Sequence, residues 1–157
     1  LIMNNALKLI IALGIPLLIG YSGSFFTISE IGNWYQTIQK PPWNPPNWIF
    51  GPVWTALYVL MGISLYLVWR SSASQKRVAI ILFTLQLVLN FFWSIIFFKQ
   101  HQIGFAFAEI LALWLMILLT IFSFARINKL AVWLLVPYIS WVSFAAILNF
   151  TIWQLNT

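Results

Sequence analysis

Five apolar segments, at about 6–28, 47–70, 77–99, 103–124 and 130–154, constrain this chain more than any other feature. Each is long enough, at ~1.5 Å per residue, to cross the ~30 Å hydrocarbon core of a bilayer. Inside hydrocarbon a backbone N–H or C=O has no water to bond, so each segment must satisfy itself as a helix. Composition agrees: 62% of residues are hydrophobic and 6% charged, against about 25% charged in a soluble domain. The expected fold is an all-α membrane protein, a compact bundle of five transmembrane helices forming one domain over 1–157. The connections at 71–76, 100–102 and 125–129 are short, so sequential helices are expected to be antiparallel neighbours. The first segment, with Lys8 ahead of its apolar run, could be a signal peptide. It is long for one and lacks a small-x-small cleavage site, so an uncleaved helix is expected. Leu1-Ile2 ahead of Met3 is expected to be an artificial addition.

The eight basic residues and two acids leave a net charge of +6. The basic residues lie singly or in pairs between apolar runs, with no basic face, which argues against nucleic acid as a partner. Their distribution sets an orientation instead. Lys8, Arg70, Lys76, Arg77, Arg126 and Lys129 share one side and Lys40 and Lys99 the other. The positive-inside bias then puts the N-terminus in the cytoplasm of a bacterial plasma membrane, with the C-terminus and the first loop outside. The chain has no cysteine, which removes disulfide and thiolate chemistry. One histidine and two glutamates do not make an ordinary metal site, so no metal is expected.

The stretch Trp34–Tyr58 holds Pro41, Pro42, Pro45, Pro46 and Pro52 beside Trp34, Trp43, Trp48 and Trp54. Proline removes backbone donors and drives the preceding residue into extended geometry, so this stretch reads as neither helix nor central strand. A stiff lid over 29–46 is expected between the first two helices, built on Trp34, Lys40, Pro41, Trp43, Pro45 and Pro46.

Beneath that lid, polar and aromatic residues recur at helical spacing. Trp54, Tyr58 and Gly62 share a face of the second segment; Gln86, Asn90 and Ser94 share one in the third, with Trp93 alongside. Trp141, Ala145 and Asn149 do the same in the fifth, which also carries Tyr138. Amides are costly in hydrocarbon unless paired, so Gln86 and Asn90 should face the interior, Gln86 as an interhelical hydrogen bond. Counted from the lid end, Trp54, Asn90, Trp93, Glu109, Ala145 and Asn149 are expected to converge directly below the lid, with Trp141 near mid-depth. An aromatic pocket with a few polar groups suits a flat, mostly apolar ligand. Trp48, Trp69, Trp133 and Trp153 stand at helix ends, where an interfacial belt accounts for them. Gly20 and Ser24 form a small-xxx-small face for helix packing. Glu109, the one acid within a span, is expected to pair with Lys99 or His101 rather than to couple an ion.

Residues 34–70, WYQTIQKPPWNPPNWIFGPVWTALYVLMGISLYLVWR, closely resemble the translocator protein family, also called the peripheral-type benzodiazepine receptor or tryptophan-rich sensory protein family. So do QLVLNFFWSIIFF at 86–98 and VPYISWVSFAAILNF at 136–150, and the likeness runs the length of the chain. The resemblance implies five membrane helices, a homodimer, and a pocket opening toward the first loop. It implies porphyrins such as protoporphyrin IX, isoquinoline carboxamides and benzodiazepine-type drugs as ligands, with no required cofactor. By position, the family's pocket residues fall on Tyr35, Trp54, Asn90, Trp93, Trp141, Ala145 and Leu148; Tyr58 joins them from the spacing above. The sterol motif of animal members is absent, since Phe150 and Gln154 stand where it needs tyrosine and a basic residue.

Three functions are consistent with these residues. The leading one is a membrane receptor or sensor of porphyrins and similar flat hydrophobic ligands, with Trp54, Trp141 and Tyr35 stacking and Asn90 bonding a polar group. The porphyrin propionates would then lie near Lys40 or Lys99. The second, implied by the resemblance, is light-dependent protoporphyrin breakdown with Trp54 and Trp141 as redox partners, since no conventional catalytic group is present. The third is a transporter of tetrapyrroles or other hydrophobic molecules, for which a lone intramembrane acid and no repeat are poor support.

Overall fold

A computed structural model describes residues 3–157; Leu1 and Ile2, and the expectation attached to them, lie outside the described residues. The described chain forms six helices: α1 (Asn5–Ile31), α2 (Trp34–Thr37), α3 (Asn47–Trp69), α4 (Lys76–Ser94), α5 (Ile103–Ala125) and α6 (Lys129–Leu155). Five of them are long and apolar enough to cross a membrane, the fourth span running on to Lys99. Their starts follow from local chemistry. Asn4 caps α1 by accepting from the Leu7 N–H at 2.8 Å, and Asn128 caps α6 by accepting from Ala131 at 3.0 Å. Pro46 immediately precedes α3, and Lys76 donates to the final carbonyls around Trp69 and Ser71, favourable at a helix C-terminus.

Three expectations need correction here. The lid does not begin at 29, because α1 continues to Ile31. Nor is the stretch from Trp34 free of helix: Trp34–Thr37 makes one turn before the prolines, which act only from residue 40 onward, where the preceding residue is pushed extended. Finally, sequential spans are not all close neighbours. α1 packs against α3 and α4, α3 against α6, α6 against α5, and α5 against α4, closing a ring. The spans α3 and α4, although joined by a short turn, touch little, because α3 is drawn to α1 and α6.

The draw toward α1 has a specific cause. A Cβ at Gly62 would stand 2.8 Å from the Ala12 carbonyl oxygen and 2.8 Å from the Leu13 Cα, so the two backbones meet there. Gly20, as the spacing suggests, also admits a neighbour, the Tyr58 ring of α3, whereas Ser24 bonds back to its own helix at Tyr21. Gly62→Ala is expected to cost about 1–3 kcal/mol through overpacking against rigid backbone. Thermal unfolding in detergent checks this; a midpoint equal to wild type would refute the close approach.

Candidate functional site

Inside the ring, at the lid end, lies a cavity of about 940 Å³. Its lining includes Tyr35, Trp54, Tyr58, Asn90, Trp93, Trp141, Ala145 and Leu148, every pocket residue named from the sequence. Each is placed by its helix. On α3, Trp54 stacks on Tyr58 with centroids 5.6 Å apart and meets Tyr138 of α6 edge-on at 6.3 Å. On α6, Trp141 packs against Phe50 and Phe144.

The floor is a relay of side-chain hydrogen bonds joining three helices. Tyr58 donates to Asn90 Oδ1 at 2.7 Å, Asn90 Nδ2 donates to the Tyr138 hydroxyl at 2.9 Å, and that hydroxyl donates to Gln86 Oε1 at 2.6 Å. Gln86 is thus the interhelical bond expected of it. Asn90 is more occupied than expected: both ends of its amide are engaged, leaving one N–H for a ligand. Beside the floor, Trp93 donates to Asn149 Oδ1 at 3.0 Å and Asn149 donates to the Ile103 carbonyl at 2.9 Å, so Asn149 braces the wall.

The roof comes from two places, one of them unforeseen. Tyr35, at the bottom of α2, is 3% exposed and donates to Asn44 Oδ1 at 3.0 Å. Burial pushes its hydroxyl up to about 12, so it remains a neutral donor. The other contributor is a π-helical turn, Ile95–Lys99, closed by Gln100 N–H donating to the Ile95 carbonyl at 2.9 Å. Such a turn inserts a residue into the helical register and often marks a functional region. Here it buries Phe97 and Phe98 together against Tyr35 and Trp93. The turn ends at Lys99, and His101, two residues on, has a φ of 57°, left-handed and rare for a non-glycine.

The other lid residues form a second layer rather than lining the cavity. Trp34 stacks on His101 and meets Phe97 edge-on; Trp43 packs on Phe144; Pro41 is buried, Pro45 half-buried and Pro46 exposed. Lys40 is turned inward, donating to the Tyr35 and Ile38 carbonyls with its ammonium over the Tyr35 ring. Lys99 lies over Phe26. Neither cation reaches the lining, and no lining residue is charged, so the placement of propionates beside Lys40 or Lys99 has no support. Glu109 also departs from expectation: both its carboxylate oxygens are buried without a protein partner among the described residues, while His101 pairs with Glu30 at 3.2 Å. Two helix-end tryptophans do more than belt the interface. Trp48 edges the cavity, and Trp153 packs against Phe107 and Phe150 over Gly104.

Sequence reading missed the contribution of α1, where Gly20, Ser24, Thr27, Ile28 and Ile31 complete the lining. Their spacing runs along one helix face and was legible, but nothing in it separates a cavity wall from lipid contact.

The TspO/MBR family profile matches residues 12–154. A tryptophan-rich protein TspO from Chlorobaculum tepidum is 45% identical over 98% of each chain. The translocator protein of Homo sapiens is 38% identical over 87% of this chain and 82% of its own, and a tryptophan-rich sensory protein from Cereibacter sphaeroides 35% identical over 78% and 77%.

Proposed function

The chain belongs to the TspO/MBR family of integral multi-pass membrane proteins, and from that premise we propose that it is a membrane receptor for flat hydrophobic ligands, porphyrins among them. Family membership supports the sensor or receptor role. One observation supports the ligand class: a cavity of about 940 Å³, uncharged, with Trp54 and Trp141 in its lining. That volume lies within the ~300–1,000 Å³ range of small-molecule sites. Indole faces supply stacking surface to an extended π system, and the single free N–H of Asn90 gives one orienting donor.

Titration of the purified protein with protoporphyrin IX in the dark, read by tryptophan quenching, tests this reading. Saturable quenching is expected, with the porphyrin absorbance bands stable under illumination. Saturable quenching with protein-dependent loss of those bands in light would favour light-dependent breakdown, a reading to which Trp54 and Trp141 in the same lining lend support. Quenching that never saturates would refute porphyrin as a ligand.

A further inference from the structure

The lid is fastened at three points. The Gln39 N–H donates to Asn156 Oδ1 at 3.0 Å and Asn156 Nδ2 returns a bond to the Gln39 carbonyl at 2.9 Å, tying the lid to the end of α6. Tyr35 holds Asn44 from below. At the far side Trp34 stacks flat on His101, centroids 4.1 Å apart, and His101 holds Glu30 of α1.

The wall between α1 and α3 is different. Leu18, Tyr21 and Ile28 of α1 and Trp48 of α3 line the cavity yet are 66%, 65%, 72% and 73% exposed. Residues that face both the cavity and the outside border an opening. Gly51, also in the lining, is exposed, and a Cβ there would meet nothing within 4 Å. Toward the opposite end the same helices come into close contact, backbone to backbone at Gly62 and with the Tyr58 ring against Gly20. The pair therefore touches at one end and parts at the other, leaving a cleft beside the cavity at the lid end of the bundle.

We propose that the cavity is loaded sideways from the bilayer, through the α1–α3 cleft at Gly51 and Ile28, and that it takes an uncharged molecule already dissolved in the lipid. This rests on the receptor reading above. A lipid-dissolved ligand needs no aqueous path, and aromatic and aliphatic lips offer it a surface like the acyl chains it leaves. A charged group brought through that cleft would lose hydration, which is expensive at membrane depth, and no charged lining residue would offset the cost.

The test uses the full chain in phosphatidylcholine vesicles and protoporphyrin IX dimethyl ester as an uncharged probe. The rate and saturation of tryptophan quenching are measured. Gly51→Leu, which narrows the cleft, is expected to slow association at least tenfold. Ile28→Ala, which widens it, should accelerate association, and so controls for a Gly51 variant that merely folds badly. Asn156→Ala, which frees the lid, should change the rate less than twofold. The diester should saturate at a concentration no higher than the free diacid. Association unaltered in both cleft variants, a tenfold acceleration in Asn156→Ala, or a diacid bound tenfold more tightly than the diester would each overturn the proposal. Failure of both porphyrins to quench saturably in wild type would instead refute the receptor reading itself, and this inference with it.

Discussion

Tyr138→Phe is expected to destabilise the bundle by about 2–3 kcal/mol, well above the ~0.6 kcal/mol average for an interhelical hydrogen bond in lipid. Tyr138 is 0% exposed, and its hydroxyl alone links Asn90 to Gln86. The Gln86 Nε2 has no partner among the described residues. Removing the hydroxyl therefore strips the Gln86 side chain of its one bond and deprives an Asn90 N–H as well. Because the ring is retained, no cavity accompanies the loss, and the effect isolates the polar term. The cost comes from stranded polar groups, so Gln86→Leu added to Tyr138→Phe should recover much of it. Unfolding in detergent across the four proteins of this cycle measures the coupling. Strictly additive losses, or a Tyr138→Phe protein as stable as wild type, would show that the relay is not a unit.

Trp54→Ala is expected to weaken protoporphyrin IX binding about 10–100-fold, since lost stacking and lost apolar contact together amount to roughly 1.5–3 kcal/mol. Trp54 packs against both Tyr58 and Tyr138 and lines the cavity. Trp54→Phe retains a smaller ring and should lose less than tenfold. Trp133, 69% exposed at the start of α6 and outside the lining, is the natural control, and Trp133→Ala should bind as wild type does. Equal affinity in Trp54→Ala and wild type would remove Trp54 from the site. Under illumination, unchanged loss of porphyrin bands in Trp54→Phe would remove it from any photochemical role.

Much of the site was readable because the bilayer simplifies the problem. A helix is the required local structure in hydrocarbon, so spacing translates directly into faces, and Trp54, Asn90, Trp93 and Ala145 could be placed in the lid-side half, with Trp141 near mid-depth, before any tertiary contact was known. Other features had no local signature. Ile95–Lys99 has an unremarkable apolar sequence, and its π turn arises where Phe97 and Phe98 find burial under Tyr35. His101 occupies a left-handed position where glycine would be the usual signal, and stacking on Trp34 with the Glu30 contact holds it there. For Glu109 the sequence offers Lys99 and His101 as partners, whereas in the structure each meets a group on α1 instead, Lys99 the Phe26 ring and His101 the Glu30 carboxylate.

Hydrophobic length, proline placement and the period of the polar residues determined by themselves that this is a five-span helical membrane protein with aromatic and polar residues gathered toward the first-loop end of the bundle. These are properties of single segments, set by what hydrocarbon allows a backbone to do. The ring order, the α1–α3 cleft and the engagement of Lys40 by the Tyr35 and Ile38 carbonyls and of Lys99 by the Phe26 ring were decided only in the tertiary structure. They depend on which helix offers a glycine for close backbone approach and which carbonyl or ring reaches a cation first. Those are contacts between segments distant in sequence, and no segment carries them alone.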